Sequence, residues 1–299
     1  MTARVVVAGQ LARDLVLRVE RMPAAGAAAD VALRREMLGG KGANQAVSLA
    51  QLGATVSLIA VAGGDDIGDR LVARAARDGI DVSGVARRDG EPTGLIVEAL
   101  DASGGWRYLQ HLPPATLLTP ADIEKADALF DDAAAVLVQL QQPPRAALAA
   151  ARRGRRADAL VVLDGVPAEE DRADLLAVSD VLRADEQETH LLTGVPPDDE
   201  EQVRAAAEKV LNAGPGLLAL GMTGGNLFVW REKHLFLPLG DAPVVDTTGA
   251  GDALTAALTV ALLRGDPPPD AARYAVAAAA LTVGHPGGRP DLRRLRTKP

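Results

Sequence analysis

Apolar residues follow two patterns that alternate along this chain. Continuous apolar, mostly β-branched runs occur at 5–9 (VVVAG), 55–63 (TVSLIAVAG), 135–140 (AVLVQL), 159–165 (ALVVLDG) and 216–221 (GLLALG), with helical stretches between them. A strand that is apolar at every position is covered on both faces. The alternation therefore predicts a mainly parallel central sheet between two helical layers, an α/β fold. Helices are predicted at 42–52, 66–78 and 253–264, each stopped by a glycine (Gly53, Gly79, Gly265), and the last is followed by three prolines at 267–269. After Gly221 the pattern becomes two adjacent strands, 227–230 and 234–238, joined by a short polar turn.

Two segments depart from this alternation. Residues 14–38 and 92–112 carry period-2 stretches, LVLRVE and TGLIVEAL, with glycines at 104–105 as a hairpin turn. Too short to stand alone, they are expected to pair into a small sheet over the carboxyl ends of the main strands, where open α/β sheets bind ligands. Such a flap would exclude water from a reaction beneath it. The predicted division is a large domain of 1–13, 39–91 and 113–299, and a β-sheet lid of 14–38 and 92–112. There is no internal repeat.

Composition narrows the function. The net charge of −8 argues against nucleic acid and anionic membranes as partners. It also means that a nucleotide site would depend on Mg²⁺, helix N-termini and a few local cations. The absence of cysteine excludes disulfides, a thiol nucleophile and Cys-ligated metal, and the four histidines lack i, i+4 spacing for zinc. No run approaches the length of a membrane span and the N-terminus lacks a signal-peptide profile, so a cytoplasmic protein is expected.

Two glycine motifs carry the candidate chemistry. DTTGAGD at 246–252 follows a short apolar run and opens an almost wholly apolar helix. Gly249 and Gly251 allow close backbone approach, and the first helical turn offers unpaired N–H groups and partial positive charge to a phosphate or oxyanion. Asp252 on that turn is placed to take a proton from a hydroxyl, as a kinase acting on a small alcohol requires. In GGKGANQA at 39–46, Gly39 and Gly40 present backbone amides, and Lys41 and Asn44 add the donors and acceptor that suit a polyol. This is not a Walker loop, because GxxxxGK[ST] needs Ser or Thr directly after the lysine, where Gly42 stands with Ala43 and Asn44 following, and the upstream glycine is missing. No GxGxxG follows the first strand, where GQLARD (9–14) stands, so a Rossmann dehydrogenase is disfavoured.

Taken together, GQLARD, GGKGANQA, GGDDIG (63–68), ADEQETHLLTG (184–194), ALGMTGG (219–225) and VVDTTGAGD (244–252) resemble, in order and across the chain, the ribokinase branch of the PfkB carbohydrate kinase family. The resemblance implies a Rossmann-like three-layer αβα fold with a β-sheet lid, dimerisation through that lid, and ATP-dependent phosphorylation of a sugar hydroxymethyl group. It makes Asp252 the catalytic base and Gly249, Ala250 and Gly251 the anion hole. Phosphoryl transfer passes through a loose transition state in which positioning and charge stabilisation dominate. A carboxylate near its ordinary pKa would already be ionised at neutral pH.

The same resemblance assigns Asp14, Gly40, Lys41, Asn44 and Gln141 to the sugar, and Asp185, Gly221, Thr223, Gly224 and Gly251 to ATP. Asp185 and Glu188 would hold Mg²⁺ through water, and Asp246, Thr248 and Gly287 match a monovalent-cation loop that takes K⁺ in the family. Asp185 stands where the family carries Asn, which adds a negative charge that attracts Mg²⁺ and repels phosphate. Ala12 and Gln141 replace an Asn and a Glu of the ribokinase pattern, each costing a hydrogen bond worth about 0.5–3 kcal/mol. D-Ribose is the expected acceptor. A nucleoside kinase taking pseudouridine or adenosine, and a non-catalytic sugar or nucleotide sensor, are the alternatives. Trp106, Tyr108 and His111 fall on the lid, where they are expected to form a hydrophobic clasp between subunits.

Overall fold

The computed structural model describes residues 3–103, 105–231, 233–240, 246–284 and 291–297. Its strands are β1 (Arg4–Ala8), β2 (Ala12–Val19), β3 (Val31–Gly39), β4 (Thr55–Gly63), β5 (Ile80–Asp81), β6 (Val85–Arg88) and β7 (Leu95–Leu100), followed by β8 (Trp106–His111), β9 (Ala135–Gln139), β10 (Leu160–Asp164), β11 (Val181–Ala184), β12 (Leu217–Met222), β13 (Gly225–Trp230) and β14 (Lys233–Pro238). The helices are α1 (Lys41–Leu52), α2 (Asp66–Arg77), α3 (Pro120–Lys125), α4 (Pro144–Arg156), α5 (Arg172–Ala177), α6 (Glu186–Thr193), α7 (Glu200–Leu211), α8 (Ala250–Leu263) and α9 (Pro268–Thr282).

The main sheet runs β14-β13-β12-β11-β10-β9-β1-β4-β5, with β6 also paired to β4. All its pairings are parallel except β12–β13 and β13–β14. The all-apolar strands do bury both faces. Val5 and Val7 of β1 pack into a core with α1, α8 and α9, while Val6 and Ala8 point to the opposite core beneath α3, α4 and α7. Strand order reverses at β1, which sits between β4 and β9, and an open α/β sheet has its binding crevice at such a switch point.

The period-2 segments form a separate four-stranded sheet, β3-β2-β7-β8, with β2–β7 parallel and the other pairs antiparallel. Its register sets Leu15, Val97 and Leu109 side by side on one face. The alternate face carries Asp14, Ile96, Glu98, Tyr108 and Gln110 toward the crevice.

Four elements differ from expectation. β11 is four residues long with Arg183 inside it, so no apolar run betrays it. β5 and β6 are short edge pieces held mainly by β4. Helix α8 begins at Ala250, three residues before the expected Ala253. Gly249, in a left-handed conformation (φ 74°), caps it, and Ala253 N–H already bonds back to the Gly249 carbonyl.

Candidate active site

A cavity of about 1070 Å³ opens between the two sheets at the carboxyl ends of β1, β9 and β11. The start of α1 forms one wall. Gly40 caps it with φ 84°, and the helix backs directly onto the end of β1: a Cβ on Gly42 would come within 2.6 Å of the backbone of Gly9 and Gln10. A Cβ on Gly39 would occupy the space of the Asp14 carboxylate, so that glycine is what lets the acid sit there. This close approach delivers Lys41 and Asn44 to the cavity, and Gln45 just beneath it.

The start of α8 forms the facing wall. Asp252 is buried at 5 % exposure, accepting from Asn44 Nδ2 at 3.2 Å and from Gln45 Nε2 at 3.2 Å. Gln45 Nε2 also donates to Asp164 Oδ2 at 2.7 Å, at the end of β10. Among the described residues Asn44 Oδ1 has no partner, a buried acceptor that a ligand hydroxyl would satisfy. Lys41 Nζ pairs with Glu188 Oε1 at 3.3 Å, and Arg183 Nη1 with Asp164 Oδ1 at 3.0 Å.

These charges set the proton affinities. Burial, and then the neighbouring Asp164 charge, push Asp252 up to about 6 against the pull of Lys41, Asn44 and Arg183. The expectation of an ordinary carboxylate pKa is thereby corrected: the group lies closer to working pH, which makes it a stronger base while still mostly ionised at pH 7. Burial also raises Glu188, with Lys41 opposing. Burial alone would depress Lys41, but Asp164 and Glu188 outweigh it and hold the ammonium charged.

The chain matches the model of the pfkB family carbohydrate kinases over residues 2–294. It is 32% identical over 303 residues to a ribokinase of Arabidopsis thaliana, covering 96% of this chain and 78% of that one. The chain belongs to the PfkB family. A solved structure of the A. thaliana ribokinase complexed with ribose and ATP superposes with a TM-score of 0.82 at 28% identity, over 100% of both chains. A deoxyribokinase of Salmonella typhi is 27% identical over 80% of this chain and 79% of its own length. The protein is thus an ATP-dependent carbohydrate kinase with the ribokinase fold.

The kinase gathers most of the expected residues at one place. Asp14, Gly40, Lys41, Asn44, Gln141, Asp185, Thr248, Gly249, Gly251 and Asp252 all line the cavity. Ala250 stands just inside α8, its amide turned to the Thr247 carbonyl at 3.2 Å. Asp185 and Glu188 form a reciprocal cap at the start of α6: Asp185 N donates to Glu188 Oε2 and Glu188 N to Asp185 Oδ1, each at 2.8 Å. Gly221, Thr223 and Gly224 lie apart from the cavity wall, at the β12–β13 hairpin. Gly221 packs on the backbone of Asp185 and Glu186, and Thr223 Oγ1 donates to Glu186 Oε1 at 2.7 Å. Asp246 Oδ1 accepts from Thr248 N at 2.8 Å, whereas Gly287 lies outside the described residues.

Tertiary structure adds residues that pattern alone passed over. Asp164 ends one interior strand and Arg183 lies within another, and Gln45 reads as a helix residue. Glu98 reads as the polar phase of an alternating strand, yet its carboxylate accepts from Thr248 Oγ1 and from Tyr108 OH, both at 3.0 Å. Burial and the nearby Asp246 push its pKa up. Tyr108 and Trp106 therefore face the cavity, with Tyr108 OH 2.9 Å from Thr248 Oγ1, while His111 does not line it. The two aromatic rings pack on each other, centroids 4.8 Å apart, along the lid side of the cavity.

Proposed function

We propose that this kinase transfers the γ-phosphoryl group of ATP to a hydroxymethyl group of a small sugar, with D-ribose the preferred acceptor. The observation that carries the reading is the convergence of Asp252, Asn44 and Lys41 on one cavity beside the glycine-capped start of α8. A polyol seated against Asp14, Gly40 and the free Asn44 carbonyl oxygen would have one hydroxyl within reach of Asp252. That carboxylate takes the proton as the new P–O bond forms. Amides at Gly249 and Gly251, with the dipole of α8, stabilise charge on the migrating group.

Seven carboxylates (Asp14, Glu98, Asp164, Asp185, Glu186, Glu188 and Asp252) face two cations (Lys41 and Arg183) in and around the cavity. That negative excess fits Mg²⁺, which when bound with ATP would neutralise phosphate charge, held through water by Asp185 and Glu188. K⁺ at Asp246 and Thr248 is part of the same reading, as is a homodimer through the outer face of the four-stranded sheet, where Leu109 is 70% exposed. Among the described residues no helix is long and apolar enough to cross a membrane. The names of the relatives, ribokinase and deoxyribokinase, support a pentose acceptor.

The test is an ADP-release screen with MgATP against ribose, deoxyribose, fructose, common nucleosides and pseudouridine. Highest kcat/KM on ribose supports the reading; preference for a nucleoside replaces the acceptor. ATP binding without turnover on any of them would make the chain a sensor.

A further inference from the structure

Arg183 has the geometry of a donor waiting for an acceptor. It sits in β11, two residues before Asp185, with its side chain only 12% exposed and lining the cavity. Its Nη1 donates to Asp164 Oδ1 at 3.0 Å and stands 3.9 Å from Glu188 Oε2. The other terminal nitrogen, Nη2, lies against Gly251, so close that any Cβ there would collide with it. Among the described residues Nη2 has no hydrogen-bond partner.

A guanidinium that serves only as counter-ion to a buried carboxylate gains most from the two-pronged arrangement, with both terminal nitrogens on the acid. Here one prong holds Asp164 and the other is aimed at the glycine whose backbone opens α8. Arg183 lines the cavity, so a phosphoryl oxygen placed there would accept from Nη2 in a charge-assisted hydrogen bond. Its positive charge also interacts with the acid at position 185, while Lys41 is paired with Glu188 at 3.3 Å.

We propose that Arg183 is a catalytic residue, its Nη2 contacting oxygens of the migrating phosphoryl group beside Gly251. In the transfer, the bond from the γ-phosphorus to the bridging oxygen of ADP breaks while the acceptor oxygen bonds to phosphorus and its proton passes to Asp252. Charge spreads over the three non-bridging oxygens, where a planar, permanently charged donor is most effective. The inference rests on the kinase reading above, and is tested by a measurement that needs no acceptor.

Binding of ADP is measured with and without aluminium fluoride, a mimic of the transferring phosphoryl group, alongside turnover. In Arg183→Ala, ADP affinity should stay within about threefold of the wild type, while the gain from aluminium fluoride falls at least about a hundredfold and kcat falls about 10³-fold. Free guanidinium should restore part of kcat to Arg183→Ala. Because loss of Arg183 strands the Asp164 charge, the variant Arg183→Met with Asp164→Asn removes both partners of the pair. Its melting temperature should recover while the aluminium fluoride gain and kcat do not. Recovery of both in that double variant, or an undiminished aluminium fluoride gain in Arg183→Ala, would reduce Arg183 to a counter-ion and overturn the proposal. Wild-type protein that tightens on ADP with aluminium fluoride but phosphorylates none of the sugars leaves Arg183 testable and places the fault in the acceptor assignment.

Discussion

Replacing Asp164 with Asn removes the charge that, after burial, does most to raise Asp252. One nitrogen, Gln45 Nε2, lies 2.7 Å from an oxygen of Asp164 and 3.2 Å from one of Asp252. Those two oxygens are therefore no more than about 6 Å apart, and at an effective dielectric of about 20 their repulsion is close to 3 kcal/mol. That corresponds to about two pKa units, enough to bring Asp252 from about 6 back toward the ordinary aspartate range. At pH 5 about a tenth of the wild-type base would be ionised, against about nine-tenths in Asp164→Asn. Relative to its own plateau, the variant should then retain nearly tenfold more activity at that pH. The assay is kcat/KM for the acceptor at saturating MgATP from pH 4.5 to 9, with ADP quantified directly so that no coupling enzyme limits the range. Bound phosphate charge acts on both proteins alike, and the lost Asp164 contacts to Gln45 and Arg183 lower the plateau without moving the limb. An acid limb at the same pH in both proteins, or a flat wild-type profile down to pH 5, would refute the reasoning that Asp252 is the base and Asp164 its main charged neighbour.

Three further outcomes follow. Because Asp252 binds its proton more tightly folded than unfolded, its contribution to stability is full below pH 3.8 and is lost as pH rises through about 6. The ligand-free melting temperature should accordingly decline between pH 5 and 7.5, and Asp252→Asn, essentially without turnover, should decline less; equal slopes in calorimetry would count against it. A methyl group at position 39 falls on the Asp14 carboxylate, so Gly39→Ala should raise KM for the sugar at least about tenfold with a much smaller change in kcat, and an unchanged KM would detach Asp14 from sugar binding. Asp65 caps α2 through Gly68 N at 2.7 Å and also accepts from Thr93 N at 2.9 Å, tying the loop after β4 to the base of β7. Asp65→Ala should cost about 2–4 kcal/mol of stability, read as a lower urea midpoint at unchanged slope.

Much of the architecture could be read from the chain because it is written in short-range periodicity. Runs apolar at every position became strands buried on both faces, such as β1, whose valines divide between two cores. Helices ended at Leu52, Arg77 and Leu263, each close to its expected glycine stop. Gly249 and Asp252, and Gly40 with Lys41 and Asn44, announced themselves because close backbone approach and a polar first helical turn leave local marks. The lid side was harder. Glu98 occupies a polar phase that any exposed strand would carry, and only the folding of β7 over the loop before α8 brings it to Thr248.

The sequence by itself determined the layers of the sheet, the helix stops and the two glycine loops that open onto one crevice, since each depends on neighbours a few positions away. Tertiary structure alone decided the electrostatics. Asp164, Arg183 and Glu188 meet Lys41 and Asp252 from separate strands and helices, and Coulomb energies depend on distances of a few ångströms and on burial, neither of which is a property of spacing along a chain.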